Sequence, residues 1–263
     1  MTSPLELQHI AVEIATEAGE LARRRRGEGV SIAASKSTIA DIVTEADREV
    51  EALIRERLAA ARPDDGFLGE ESGDAAGTTG ITWVVDPIDG TVNYAFGMPS
   101  YAVSIAAVVD GTDPGTWRAL AGVVHAPALG ETFRAAAGEG AWLGEQRIRV
   151  NTDAPAGALI ATGLGYDSRT HAGDLATLTR AMPLARDIRR IGAASLDLAF
   201  VAAGRLDGYF ERGLQPWDIA AGRLLVDEAG GRSGWFEPDA FGRSLAVVAG
   251  PELYERLRSA ILD

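Results

Sequence analysis

Residues 83–94 read Trp-Val-Val-Asp-Pro-Ile-Asp-Gly-Thr-Val-Asn-Tyr, and the rest of the chain is organised around this stretch. The apolar, β-branched run at residues 81–85 predicts a buried strand. We expect that strand to stop at Asp86-Pro87, because proline cannot donate to a sheet and holds the preceding residue extended. Asp86 and Asp89 would then lie on a tight turn at a strand end, where Gly90 gives freedom in φ.

This turn combines carboxylates with free backbone amides. N–H groups around Gly90 and Thr91 can face an anion, as they do at a helix N-terminus. Two carboxylates beside an anion would repel it, and a divalent metal ion that bridges them to a phosphate resolves the conflict. The alternative is an ordinary turn, because Asp, Pro and Gly all favour turns.

Composition narrows the class of protein. A chain of 263 residues suits one large domain or two small ones. The net charge of −13 argues against a nucleic-acid-binding face and requires a cation to offset the field around an anionic substrate. There is no cysteine and there are only three histidines, so disulfides are excluded and zinc is disfavoured. Oxygen ligands favour Mg²⁺ or Mn²⁺.

No apolar run approaches the roughly 20 residues of a membrane span. Glu6, Glu13 and Glu17 interrupt any signal-peptide core near the N-terminus. We therefore expect a cytoplasmic protein without a membrane partner.

The chain alternates predicted helices and strands, which indicates layered sheets and helices. Apolar periodicity predicts helices at about 5–26, 45–61, 171–182, 193–203, 217–229 and 251–262. Strands or extended segments are predicted at 31–43, 67–71, 81–85, 102–109, 117–124, 131–137, 141–150, 159–162, 208–210 and 245–249, with a loop at 72–80. The strands between 102 and 150 predict an antiparallel sheet.

Three further acidic positions each have an ordinary structural explanation. Glu70 begins an acidic pair at the end of a predicted strand, and adjacent acids are common in solvated loops. Asp218 stands in the first turn of a predicted helix, where the helix dipole alone favours an acid. Asp47 follows Thr44 at the spacing of a capping box.

Taken together, these motifs resemble the inositol monophosphatase family of Mg²⁺-dependent, lithium-sensitive sugar phosphatases. Residues 83–94 are similar to its first signature, and Trp217-Asp218-Ile219-Ala220-Ala221-Gly222 is similar to its second. Residues 36–47, from Lys36 through Asp41, resemble the family's K-x4-D-x-V-T-x-x-D, and residues 69–72 resemble its G-E-E-S. Tyr94 departs conservatively from the common Phe. The resemblance implies an α/β (α+β) fold, a layered α-β-α-β-α sandwich with residues 1–263 as one domain, often in a homodimer.

The resemblance also implies residue roles. One Mg²⁺, with Mn²⁺ as the alternative ion, would be held by Glu70, Asp86 and the Ile88 carbonyl, and a second by Asp86, Asp89 and Asp218. Glu70, Thr91 and Asp47 would serve the attacking water. Substrate contacts are expected at Asp89, Gly90, Thr91, Gly192, Ala193, Ala194, Glu211 and Asp218, with Glu211 accepting a hydrogen bond from a sugar hydroxyl.

The expected reaction is hydrolysis of myo-inositol monophosphate, a small polyol phosphate, by in-line attack of water. Histidinol phosphate and fructose-1,6-bisphosphate are alternative substrates in the same superfamily. An alternative of another class is a non-catalytic regulatory binding protein, against which the intact set of carboxylates and Thr91 argue. We expect no nucleic-acid partner.

Overall fold

The computed structural model describes residues 2–29, 32–35 and 42–262. Lys36 and Asp41, which carry part of the family resemblance, lie outside the described residues, and so does the side chain of Thr44, the predicted helix cap. Within these ranges the chain forms seven α-helices, fifteen strands and two short 3-10 turns, Ser168–Thr170 and Met182–Leu184.

The helices match the six predicted ones closely, with α3 in addition. They are α1 (Pro4–Glu28), α2 (Glu45–Ala61), α3 (Thr91–Phe96), α4 (His171–Ala181), α5 (Ala194–Ala202), α6 (Pro216–Glu228) and α7 (Pro251–Leu262). The strands are β1 (Ile32–Ser35), β2 (Ile42–Thr44), β3 (Gly66–Gly69), β4 (Gly73–Ala75), β5 (Thr82–Asp89), β6 (Ala102–Val109), β7 (Arg118–Ala126), β8 (Glu131–Ala136), β9 (Gly140–Leu143), β10 (Gln146–Ile148), β11 (Ala158–Thr162), β12 (Ala185–Arg189), β13 (Gly208–Arg212), β14 (Arg232–Phe236) and β15 (Leu245–Ala249).

Five layers of secondary structure stack on one another, which confirms the predicted α-β-α-β-α sandwich. Helices α1 and α2 cover one face of an eight-stranded sheet, and α5 and α6 pack between its other face and a five-stranded sheet. Helices α4 and α7 cover the far side of the second sheet. The described helices include none that is long and apolar enough to span a membrane.

Strand β5 shows how side-chain alternation builds these layers. Trp83 and Val85 point into the core beneath α1 and α2, whereas Val84 points into the core shared with α5 and α6. All three are almost fully buried. Because successive side chains of a strand face opposite sides, an uninterrupted apolar run is what a sheet covered on both faces requires.

The prediction that this strand stops at Asp86-Pro87 is wrong. β5 continues to Asp89, and its pairing with β6 shifts register between Asp86 and Asp89. A bulge interrupts the ladder at that point, so the N–H that Pro87 lacks is not needed there. The irregularity places both carboxylates at the end of a strand that still belongs to the sheet.

The larger sheet has the order β10-β9-β8-β7-β6-β5-β3-β4, and every neighbouring pair is antiparallel except β3 with β5. The antiparallel sheet predicted for residues 102–150 is thus confirmed. Two predicted extended segments are wrong, because each contains two strands. The segment 31–43 contains β1 and most of β2, which pair antiparallel. Residues 141–150 form β9 and β10, joined by a tight turn at Gly144, whose φ is 55°. The Gly-Glu pair at 144–145 is typical of a two-residue hairpin turn.

Three strands lie outside the sequence prediction. β4 occupies part of the predicted loop at 72–80, while β12 and β14 form the two edges of the sheet ordered β12-β11-β13-β15-β14. All three lie at sheet edges and have few buried residues. Polar edge strands lack the apolar alternation from which strands are predicted.

Helix α6 packs on the larger sheet at unusually close range. A Cβ atom added to Gly122 of β7 would lie 2.9 Å from Cα and 3.0 Å from the carbonyl oxygen of Ala221. Ala221, a small residue of this helix, therefore faces a glycine, and backbone meets backbone. The contact sets the distance between the sheet and the helix that carries Asp218.

We expect Gly122→Ala to lower the free energy of unfolding by about 1–3 kcal/mol, because the added methyl group meets backbone that cannot rotate away. Gly173 of α4 is the matched control, since no atom lies within 4 Å of its added Cβ. There the same substitution should stabilise the protein by up to about 1 kcal/mol through helix propensity. Urea unfolding measures both changes, and equal effects would contradict the packing interpretation.

Candidate active site

A cavity of about 500 Å³ opens where the ends of the two sheets meet the N-termini of α3, α5 and α6. Its walls come from widely separated parts of the chain. The predicted site residues that line it are Glu70, Asp86, Ile88, Asp89, Gly90, Thr91, Gly192, Ala193, Ala194, Glu211 and Asp218. Asp47 is the one predicted site residue that does not line it.

Three carboxylates converge on one side of the cavity. Asp86, Asp89 and Asp218 each present an oxygen, and the three atoms lie within 4.8 Å of one another. Asp86 is 2% and Asp89 7% exposed, so the cluster is largely withdrawn from water. Glu70 lies in the same wall, at the end of β3 beside the strand that carries Asp86.

The electrostatics of this cluster are those of crowded acids. Burial raises the pKa of Asp86 well above its ordinary value, and the charges of Glu70 and Asp89 raise it further. Burial also raises the pKa of Asp218, with Asp89 as the next cause. Such a group of oxygen ligands is stable in its charged form only beside a cation, and its all-oxygen chemistry suits a hard divalent ion. The cluster can therefore hold a metal ion.

Asp89 is fixed by the start of α5. Its Oδ1 accepts a hydrogen bond from the Ala194 amide at 3.2 Å, and its Oδ2 accepts from the Ser195 amide at 2.7 Å and the Ser195 hydroxyl at 2.6 Å. These donors counteract the effect of burial on the pKa of Asp89. Ala194 lines the cavity as predicted, but its amide is engaged by a protein carboxylate.

Asp218 has a structural and a site role at once. Asp218 lies two residues after Pro216, where α6 begins. Its Oδ2 accepts a hydrogen bond from the amide of Gln215 at 2.6 Å, and this bond caps the start of the helix. The same side chain presents an oxygen to Asp86 and Asp89. The two explanations that the sequence left open for this acid are therefore compatible.

Asp47 acts on the cavity through Thr91. The Asp47 side chain is 1% exposed, and its Oδ1 lies 3.2 Å from the hydroxyl of Thr91. That hydroxyl also lies 3.1 Å from the carbonyl oxygen of Ile88. Since Thr91 has a single hydroxyl proton, it donates to one of these acceptors at a time. Asp47 and Ile88 thus compete for the proton of a residue in the cavity wall.

The turn between β5 and α3 requires a glycine. Gly90 has a φ of 87°, in the left-handed region. An added Cβ would lie 2.9 Å from the Ser100 carbonyl oxygen and 3.0 Å from Cβ of Ala193. The first amides of α3, which line the cavity, lack intrahelical acceptors and are available to an anion.

Asn93 and Ser195 join the parts of the site, and sequence reasoning missed both. Nδ2 of Asn93 donates to the Ser100 carbonyl at 2.7 Å and to the Ile191 carbonyl at 2.9 Å, tying α3 to the segment before α5. Ser195 holds Asp89, as described above. Asn93 lies inside the first signature and Ser195 directly follows the predicted contact residues 192–194, so a polar side chain beside small and apolar residues was the available signal.

Glu211 lies in the wall of the cavity, at the end of β13. Its Oε2 accepts the Tyr209 hydroxyl at 2.5 Å. Burial raises the pKa of Glu211 to about 7, against the opposing effects of the Tyr209 hydrogen bond and the charge of Arg190. A carboxylate at this position can accept hydrogen bonds from the hydroxyl groups of a bound molecule.

Arg243 is a wall residue that sequence reasoning missed. Its guanidinium pairs with Asp174 at 2.8 Å and with Asp239 at 2.9 Å, and the Asp174 carboxylate in turn accepts the amide of Gly165 at 3.0 Å. The ion pairs fix the loop after β11, which lines the cavity. Arg243 follows the turn-forming residues Pro238, Asp239 and Gly242, so its sequence context indicated only an exposed turn.

The model of one protein family matches residues 4–261, and it is described as the inositol monophosphatase family. The chain belongs to the inositol monophosphatase family. A relative from Mycobacterium tuberculosis, "Inositol-1-monophosphatase SuhB", is 42% identical over 278 residues, covering 98% of this chain and 94% of the relative. A crystal structure of "extragenic suppressor protein suhB" from Bartonella henselae superposes with a TM-score of 0.87 at 36% identity, covering 98% of each chain.

Another relative, from Escherichia coli, is called "Nus factor SuhB" and is 40% identical over 226 residues, covering 85% of this chain and 82% of its own length. Family membership supports a phosphatase of the inositol monophosphatase type and a small phosphate ester as its substrate. The E. coli relative is named as a Nus factor and not as a phosphatase.

We expect Asp86→Asn to leave the metal-free protein equally or more resistant to heat, because it removes one charge from a crowded, buried cluster. The stabilisation that wild-type protein gains from Mg²⁺ or Mn²⁺ should largely disappear, since ligand binding to the folded state is what raises the melting temperature. Asp86 suits this test better than Asp89. The two oxygens of Asp89 accept three hydrogen bonds, and an Asn side chain, which has a single oxygen, would keep only some of them.

Melting curves with EDTA and with added metal measure this effect. The exposed Asp74 of β4 provides the matched control, Asp74→Asn, which should keep the full gain from metal. An unchanged gain in Asp86→Asn would remove this residue from the metal site.

Proposed function

We propose that the protein is a Mg²⁺-dependent phosphomonoester hydrolase that converts myo-inositol monophosphate and water to myo-inositol and phosphate. The observation that carries the proposal is the convergence of Asp86, Asp89 and Asp218 in a cavity that also contains Glu211. The three clustered aspartates, with bound metal, suit the phosphate end of such a substrate, and Glu211 suits the polyol. We assign the whole activity to one domain, residues 1–263.

The chain offers enough oxygen ligands for two metal ions. Glu70, Asp86 and the carbonyl of Ile88 would hold one, and Asp86, Asp89 and Asp218 would hold the other. When bound, Mg²⁺ supplies the positive charge that neutralises the phosphate and makes an attacking water more acidic. Mn²⁺ would serve with the same ligands.

The protein groups then divide the remaining work. The amides of Gly90 and Thr91 donate to the phosphate oxygens and hold the ester in place. Glu70 accepts the proton of the attacking water. Thr91 orients that water through its hydroxyl oxygen, while the Thr91 hydroxyl proton is donated to Asp47. Water attacks phosphorus in line as the bond from phosphorus to the polyol oxygen breaks, and that oxygen takes a proton from solvent water to leave as the alcohol. No covalent intermediate with the protein is required.

Glu211 supports a polyol as the leaving group. Its carboxylate shares the cavity with the acid cluster, and Gly192, Ala193 and Ala194 line the cavity with small residues that leave room for a ring. The name of the M. tuberculosis relative supports the same substrate. Histidinol phosphate and fructose-1,6-bisphosphate remain the alternative substrates.

A regulatory binding protein is the second candidate, favoured by the name of the E. coli relative. The complete acid cluster and the Thr91–Asp47 contact support catalysis over that alternative. The homodimer, the cytoplasmic location and the sensitivity to lithium stay predictions.

We expect wild-type protein to hydrolyse myo-inositol monophosphate in the presence of Mg²⁺, to lose activity in excess EDTA and to regain it on addition of Mg²⁺. Phosphate release from a panel with histidinol phosphate and fructose-1,6-bisphosphate measures the preference. Full turnover in EDTA would remove the metal mechanism. A higher kcat/KM for another member of the panel would make that compound the preferred substrate in place of myo-inositol monophosphate. Inactivity on all of them would favour the regulatory candidate.

At a pH above about 7, the pKa of Glu211, this carboxylate is charged. There we expect Glu211→Gln to reduce kcat/KM for the polyol phosphate about ten- to a hundredfold, because a charged acceptor contributes roughly 1.5–3 kcal/mol to a hydrogen bond. A minimal aryl phosphate has no hydroxyl for Glu211 to contact, so it should lose much less. The ratio of kcat/KM for the two substrates is the measurement. Equal losses would assign Glu211 to catalysis or to structure, and no loss would remove it from the substrate site.

A further inference from the structure

Helix α2 carries two buried carboxylates one turn apart, and the mechanism above uses only one of them. Asp47 is 1% and Glu51 2% exposed. Residues four apart lie on the same face of a helix, so both side chains reach from the outer helical layer toward the edge of the larger sheet. A buried carboxylate is costly unless its oxygens are engaged, which raises the question of what Glu51 holds.

Glu51 holds the backbone directly after Glu70. Its Oε2 accepts the amide of Glu71 at 2.8 Å. The carboxylate also lies tightly against the end of β3, since a Cβ atom added to Gly69 would be 2.5 Å from Oε2 and 2.8 Å from Cδ. The glycine before Glu70 thus provides the space that the Glu51 carboxylate occupies.

The peptide groups on both sides of Glu70 are therefore fixed. The amide of Glu70 donates to the carbonyl of Val85 at 3.3 Å, in the strand that continues into Asp86. The next amide, that of Glu71, donates to Glu51. The backbone from which the Glu70 side chain projects is held by β5 on one side and by α2 on the other.

We propose that Glu51 is a positioning residue that orients Glu70 toward the acid cluster. The proposal rests on the role given to Glu70 in the proposed function. Since Asp47 of the same helix face accepts from Thr91, α2 positions both groups that serve the attacking water. The one-turn spacing between Asp47 and Glu51 then fixes where Glu70 and Thr91 stand relative to each other.

The test uses variants that separate the hydrogen bond from the packing. Glu51→Met removes the acceptor but fills its space, and Glu51→Ala removes both the acceptor and the bulk of the side chain. Glu51→Gln keeps an oxygen at the same place. Ile54→Ala is the control, because Ile54 is buried on the same helix, belongs to the core beneath α2 and does not line the cavity. Kinetics, Mn²⁺ affinity and hydrogen exchange of the Glu71 amide are measured on the full chain.

In Glu51→Met and Glu51→Ala we expect kcat to fall about ten- to a hundredfold with a much smaller change in KM, as misplacement of a catalytic group by about 1 Å does. The Glu71 amide should exchange faster and Mn²⁺ should bind several-fold more weakly. Glu51→Gln should recover most of the kcat. Ile54→Ala should lower the melting temperature yet keep kcat and Mn²⁺ affinity near those of wild type.

Several results would overturn the proposal. One is an unchanged kcat when the Glu71 amide has lost its protection; another is an equal loss of kcat in Ile54→Ala. If wild-type protein hydrolyses no phosphomonoester, the proposed function fails, and Mn²⁺ affinity then decides the case of Glu51. Weaker Mn²⁺ binding only in Glu51→Met and Glu51→Ala would support a positioning role for Glu51. Equal Mn²⁺ affinity in wild type and all the variants would contradict that role.

Discussion

The repulsion among buried carboxylates is the constraint on which the rest of the structure depends. In a chain of net charge −13, Asp86, Asp89 and Asp218 converge within 4.8 Å. The fold offsets part of the cost by directing two helix N-termini at the cluster. α5 donates two amides and a hydroxyl to Asp89, and α6 donates the Gln215 amide to Asp218. The orientation of the central helical layer follows from this requirement.

The close packing of that layer serves the same end. Gly122 lets α6 approach the larger sheet, and Gly90 lets the turn after β5 approach the segment before α5. Both contacts join backbone to backbone, which cannot rearrange as side chains do. The distances among acids from three separate elements are thereby set by the main chain.

The sequence predicted the elements whose patterns are local. The apolar run of β5 and the periodicity of the long helices carried their own signals, so sheets covered by helices could be expected from the residues alone. The order of the five layers and the roles of Glu70 and Asp218 in the cavity were predicted from the family resemblance. Edge strands β4, β12 and β14 could not, because they bury little. The continuation of β5 past Pro87 depends on a bulge with β6, a non-local feature. Glu51 and Arg243 have partners far away in sequence, and charged residues on helices and loops usually face water.

Helix α2 belongs to the outermost layer of the sandwich, yet Asp47 of this helix holds Thr91 of the cavity and Glu51 holds the backbone directly after Glu70. Proteins open in parts, and peripheral helices can detach at a lower free energy than the whole fold. Detachment of α2 would release Thr91 and the backbone after Glu70 while the two sheets stayed packed. Loss of function on heating would then precede loss of most of the secondary structure, so inactivation temperature and melting temperature are separate properties of this protein.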